Sequence, residues 1–278
     1  GMLGFSSRLL ATNIFTHLNN NLFSLAFGRL YGEVTVGYYN QANKWTGMGH
    51  TMLSGMVWSV TQPLFARMDD EAGERKRRVF RKMLRLTAFL SCPALFGLAL
   101  VAAEFITITI TDKWLPCARL MQLLCVGGAF LPIASLYSNF VVSQGKSRLY
   151  MWNTIVLCLA QLLLLVILHP WGVQVMVAAY VGVNTLWLFV WHWFVGRMIG
   201  LPVRDALRDV VPFAVIAAVS MLAAWLCALP FREMPLLSLA VKVAVAAGVY
   251  YALLRLLGAQ ILGECMEFLK SKVRRKSY

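Results

Sequence analysis

Eight apolar blocks, each long enough to cross a hydrocarbon layer of about 30 Å, constrain this chain more than any other feature of its sequence. They fall at approximately 6–30, 36–66, 84–110, 117–143, 149–168, 172–198, 207–229 and 236–258. The clearest is 151–168, which ends in the run Leu162, Leu163, Leu164, Leu165, Val166, Ile167, Leu168. Turn or breaker residues separate the blocks: Gly32 and Glu33; Asp112, Lys113 and Trp114; Gly145 and Lys146; His169, Pro170, Trp171 and Gly172; Leu201 and Pro202; Phe231 and Arg232. Within lipid every backbone N–H and C=O must find its partner inside the protein, which leaves helices as the spanning element for blocks of this length. Only 14% of the residues are charged, against roughly 25% in a soluble domain. The fold class expected is therefore all-α, a polytopic transmembrane helix bundle of about eight spans.

The net charge of +14 invites a nucleic-acid reading, but the cations are not spread along a soluble face. They gather between the apolar blocks, most densely at Arg75, Lys76, Arg77, Arg78, Arg81, Lys82 and Arg85, where they act as topology determinants; no nucleic acid is expected as a partner. With eight spans, one side carries 18 basic residues and the other only Arg29, Lys113, Arg119 and Arg232. That asymmetry predicts both termini of this chain, and a 75–85 loop, on the cytoplasmic side. Residues 259–278 read as a basic amphipathic tail lying on the anionic inner leaflet, with membrane lipids as its partner.

The first two spans differ from the rest. Asn13, His17, Asn20 and Ser24 recur at i, i+4, i+7 and i+11, one face of a helix. Asn40, Lys44, Gly47, Thr51, Ser54 and Trp58 do the same in the second span, flanked by Gln41 and Asn43. Polar groups at membrane depth face a bundle interior or a water-filled cavity. Lys44 stands eleven residues beyond Glu33, or ~16 Å into the helix, too deep for a simple interfacial anchor. The substrate-cavity candidates are thus Lys44, Asn20, Asn40, Gln41, Asn43, Asn13, His17 and Arg29. Outward snorkelling or an internal ion pair competes for Lys44, interhelical hydrogen bonding for the asparagines and His17, and interface anchoring for Arg29. His50, His169 and His192 read as interfacial or isolated, and Glu104 as reaching the headgroups. Pro93, Pro132 and Pro212 fall inside helical blocks and mark kinks.

The six cysteines show no C-x-x-C pair, so neither a zinc site nor a redox motif is read, and no cofactor or catalytic residue is expected. There is no G-x-x-x-x-G-K-[ST], H-E-x-x-H or G-x-S-x-G, and the outward loops are only a few residues long. These features disfavour an enzyme. A membrane enzyme of envelope polysaccharide synthesis, or an exporter with a different substrate, is the alternative reading.

The stretch Asn19, Asn20, Asn21, Leu22, then Gly28, Arg29, Leu30, Tyr31, Gly32, then Val36, Gly37, Tyr38, Tyr39, Asn40, Gln41, Ala42 resembles a pattern of bacterial polysaccharide flippases. These are the lipopolysaccharide O-unit and colanic-acid type exporters of the multidrug/oligosaccharidyl-lipid/polysaccharide superfamily. Pro63, Leu64, Phe65, Ala66, Arg67, Met68, Asp69, Asp70, then Asp112, Lys113, Trp114, then 120–128 continue the likeness in order, over roughly residues 4–200. The resemblance implies a fourteen-helix protein with two six-helix lobes around a cavity. This chain would be the second lobe (1–200), the final helix pair (201–258) and the tail, with the first lobe of the same protein as its missing partner. It further implies a lipid-linked oligosaccharide, joined through pyrophosphate to polyprenol, moved across the bacterial inner membrane by alternating access. Lys44 would meet the pyrophosphate, with Asn20, Asn40, Gln41 and Asn43 along the route.

Overall fold

A computed structural model describes residue 10 and residues 24–66, 73–231 and 234–257. A helical segment, 24–31, comes first. Nine α-helices follow among the described residues: α1 (Glu33–Ala66), α2 (Gly73–Leu100), α3 (Ala102–Thr109), α4 (Pro116–Gly128), α5 (Leu131–Ser143), α6 (Ser147–Leu168), α7 (Val173–Ile199), α8 (Val203–Ala228) and α9 (Pro235–Leu256). The described residues contain no strand. The chain is an all-α, multi-pass membrane bundle. Its only positive-φ residues among those described are Gly32, Gly145, Gly172 and Gly200, each at a connection between helices where a left-handed residue reverses the chain.

Among the described residues six helical segments are long and apolar enough to cross a membrane: α2, α4 with α5, α6, α7, α8 and α9. Helix α1, at 34 residues, has the length but not the hydropathy, because its polar stripe interrupts the apolar frame. Most of the expected first span, including Asn13, His17 and Asn20, lies outside the described residues, as does the tail 259–278.

Three sequence expectations are corrected. The 75–85 cluster is not a loop: it forms the first turns of α2, which starts at Gly73. Arg, Lys, Met and Leu are good helix formers, and acidic partners on α8 hold this basic extension. Arg77 reaches Asp205 at 2.6 Å, Arg81 holds Asp209 at 2.6 Å, and Arg85 lies 3.0 Å from Asp209. Pro132 is not inside a helix; it occupies the first turn of α5, after the span 117–143 breaks at Ala129 and Phe130. Its missing N–H costs nothing there. Pro93 and Pro212 do sit within α2 and α8. Glu104 does not reach the headgroups: its carboxylate accepts from Lys242 of α9 at 2.5 Å and from Ser238 at 2.9 Å.

The final helix pair is therefore clasped to α2 and α3 at both ends, by Asp205 and Asp209 at one and by Lys242 at the other. Between them, the Tyr250 hydroxyl donates to the Phe89 carbonyl at 3.0 Å. The apolar core comes in two parts. One, around Phe65, Phe80, Tyr137, Phe140, Trp191 and Phe213, fills the end that carries the 75–85 cations. The other, around Phe27, Tyr39, Ile106, Met121, Leu124 and Met176, fills the opposite end. Along α1 the buried apolar positions skip from Ala42 to Val57, and along α7 from Val177 to Trp191.

Candidate functional site: polar surfaces of α1 at membrane depth

The gap between the two cores holds a polar pocket of about 300 Å³. Asn43, Thr46 and His50 of α1 face Thr154 and Gln161 of α6 and Tyr180 and Asn184 of α7 across it. The broken helix α4–α5 closes it with Gly127 and Gly128. The helices approach closely here: a Cβ on Gly127 would overlap the Val181 side chain, and one on Gly128 would lie 3.1 Å from Thr46 Cγ2. Gln161 Nε2 donates to Asn184 Oδ1 at 3.0 Å, and Asn184 Nδ2 donates to the Tyr180 carbonyl at 2.8 Å. The amides thus satisfy one another inside a lipid-embedded bundle, where an unpaired one would be costly.

A second polar surface runs along the adjacent, open side of α1. Asn40, Lys44, Thr51 and Trp58 are exposed on it and share one helical face, as the spacing predicts, and Gln62 continues it; Ser54 is half-buried and Gly47 lines the pocket instead. Ser24 of the leading segment donates to Asn40 Oδ1 at 2.7 Å, so the one described residue of the first polar face meets the second. Lys44 Nζ lies 5.8 Å from the centre of the Trp45 ring. Among the described residues no carboxylate comes within ion-pair distance of Lys44. Trp58 donates its indole N–H to Ser135 of α5 at 2.7 Å, fixing the stripe's far end.

The predicted residues consequently divide. Asn40 and Lys44 stand together on the open face, and Gln41 is half-buried beside it. Asn43 is exposed too, but it stands about 60° round the helix from Asn40 and lines the intralobe pocket. Arg29 is exposed near the end of the leading segment, apart from both surfaces. His50, read as interfacial or isolated, lines the pocket instead. His192 is buried and hydrogen-bonds the Tyr137 hydroxyl at 3.0 Å, while His169 is at a helix end. The pocket's Thr154, Gln161 and Asn184 were not anticipated. The available signal was a pair of amides in each of two otherwise apolar blocks, Asn153 and Gln161 in the leucine-rich stretch and Gln174 and Asn184 in the next span. Among the described residues no group of His, Cys, Asp and Glu could hold a metal ion.

Residues 1–119 match the family described as "Polysaccharide biosynthesis protein". The chain is 29% identical over 144 residues to the lipopolysaccharide biosynthesis protein WzxC of Escherichia coli (strain K12), covering 52% of this chain and 29% of that protein. An uncharacterized membrane protein in the cps region of Klebsiella pneumoniae is 28% identical over 145 residues, covering 52% and 30%. The teichuronic acid biosynthesis protein TuaB of Bacillus subtilis (strain 168) is 24% identical over 221 residues, covering 79% and 46%. The chain thus matches less than half the length of each of these relatives. Among solved structures, the lipid II flippase MurJ in an inward closed conformation superposes with a TM-score of 0.67 at 16% identity, over 90% of this chain and 53% of that one. The resemblance carried by the ordered motifs is borne out: the chain is a membrane protein with the fold of a lipid II flippase, similar in sequence to membrane and biosynthesis proteins of bacterial surface polysaccharides.

Proposed function

We propose that this chain forms the second lobe and last helix pair of a transporter that carries a polyprenyl-pyrophosphate-linked oligosaccharide across the bacterial inner membrane. Both ends of the chain face the cytoplasm in this reading, on the side that carries the 18 cations. It is a transporter rather than an enzyme. The exposed stripe of Asn40, Lys44, Thr51 and Gln62 supports it most, because an open polar face at membrane depth needs an aqueous partner. That face becomes one wall of a central cavity when a first lobe of the same protein stands opposite. Lys44 then offers a cation to the pyrophosphate, and Asn40 and Gln41 offer amides to sugar hydroxyls. Asn13, His17 and Asn20 of the first span extend the same wall, with Arg29 at its rim. Asn43 contributes from the pocket side. The two lobes rock about this cavity to give alternating access.

The residue division 1–200, 201–258 and 259–278 follows from the same reading: a six-span lobe, a docked pair and a basic tail. The test is Lys44→Ala and Lys44→Arg in the full-length protein, expressed in a strain that depends on it for surface polysaccharide. Alanine should abolish the polymer at normal membrane levels of protein, and arginine should restore part of it. Wild-type polymer with Lys44→Ala would refute the assignment.

A further inference from the structure

Two groups of three stand out among the cations at the basic end of the bundle. Arg77, Arg81 and Arg85 are paired with Asp205 and Asp209. Lys146, Arg148 and Arg197 are not: all three are exposed, and among the described residues no carboxylate lies within ion-pair distance of them. They nevertheless converge, since α6 begins where α7 ends. Together with Trp152 and Trp193 they line a cavity of about 620 Å³. The Arg197 guanidinium sits 4.1 Å over the Trp193 ring, which orients its planar fork while leaving its N–H groups free to donate.

Below this cavity both helices present a continuous apolar track. On α6, Trp152, Val156, Leu159 and Leu163 are exposed at i, i+4, i+7 and i+11. On α7, Trp193, Phe189 and Leu186 are exposed at matching intervals. Among the described helices α6 packs chiefly against α5 and α7, so this surface is at the lobe's outer edge. Three unneutralised cations above two indoles, with an apolar track beneath, match an amphiphile that has an anionic head and acyl chains.

We propose that Lys146, Arg148 and Arg197, with Trp152 and Trp193, form a binding site for the phosphate headgroup of an anionic membrane phospholipid, whose chains follow the α6–α7 track. The site is separate from the α1 stripe, and the transported substrate has no part in it. Arg197 and Arg148 donate to the phosphate oxygens, and Lys146 contributes a further cation at the rim. The indoles sit at the level of the ester groups, where an amphipathic ring is favoured.

The experiment is native mass spectrometry of the purified full-length protein after exchange into mixed micelles of phosphatidylglycerol and phosphatidylcholine. Wild-type protein should retain phosphatidylglycerol over phosphatidylcholine. The triple variant Lys146→Gln, Arg148→Gln, Arg197→Gln should lose that preference by roughly a hundredfold, at about fivefold per cation. Arg204→Gln with Arg208→Gln removes charge from the same end outside the cavity and should leave the preference unchanged. Trp193→Leu supplies a milder variant, which should weaken retention if the triple variant does not fold. Quenching of tryptophan fluorescence by brominated phosphatidylglycerol should fall in Trp152→Phe and Trp193→Phe. Equal retention of the two lipids by wild type, unchanged preference in the triple variant, or an equal loss in the Arg204 and Arg208 control would each overturn the site.

Discussion

Replacing Lys242 by methionine should destabilise the bundle far more than replacing Lys242 and Glu104 together. The Lys242 ammonium donates to Glu104 and to the Leu100 carbonyl, and the two side chains are only 10% and 14% exposed. The second oxygen of Glu104 is buried without a hydrogen-bond partner, so the carboxylate depends on Lys242 and Ser238. Removing one member of a buried ion pair costs about 3–5 kcal/mol, because the remaining charge is left without compensation. Replacing both by groups of similar volume, Lys242→Met with Glu104→Gln, costs little by the same reasoning. For a domain of this size the single change corresponds to a fall in Tm of roughly 6–20 °C. Thermal unfolding of the detergent-solubilised full-length protein, followed by tryptophan fluorescence, measures it. The expected order is wild type near the double variant, with Lys242→Met well below both. A single variant as stable as the double would refute the account, since the pair would then not be a desolvated clasp.

Further outcomes follow from the close approaches and the basic extension of α2. Gly127→Ala should lower Tm because its Cβ overlaps Val181, and Val181→Ala should recover most of the loss, which would identify helix approach rather than backbone propensity as the cause. Asp209→Asn should cost about 1–3 kcal/mol by leaving Arg81 and Arg85 facing a neutral group, and Asp205→Asn less, because Asp205 is more exposed. A smaller effect at Asp209 than at Asp205 would show that the extension is held by solvated charges alone.

The last six spans and the connections between them were legible because the physics is local. Apolar length sets a span, and glycines that must take positive φ mark its ends, as at Gly145, Gly172 and Gly200. The start of α2 was not legible from hydropathy, because a helix can continue past the hydrocarbon edge when partners meet its charges. Those partners, Asp205 and Asp209, lie some 128 residues further along the chain. The same long-range pairing hid Lys242 and Glu104, which read separately as a buried lysine in one span and a headgroup-seeking glutamate in another. On α1, the spacing put Asn40, Lys44 and Thr51 on a common face, and they share it. Asn43 departs from them because a three-residue step already turns a side chain well around the axis. The intralobe pocket needs four helices to assemble, so no single periodicity announces it. Only the few amides of those two apolar blocks, Gln161 and Asn184 among them, hint at it.

The central claim is that the exposed stripe of α1 borders water at membrane depth. Cysteine scanning of α1 tests it most directly, in the full-length protein with its native cysteines replaced and with a membrane-impermeant thiol reagent as probe. Asn40→Cys, Lys44→Cys and Thr51→Cys should be labelled, with rates that fall when a pyrophosphate-bearing polyprenyl lipid is added. Ala42→Cys and Val57→Cys, on the buried side, should stay unlabelled. No labelling at 40, 44 and 51 from either side of the membrane would mean that the stripe meets lipid or protein, and would contradict the cavity.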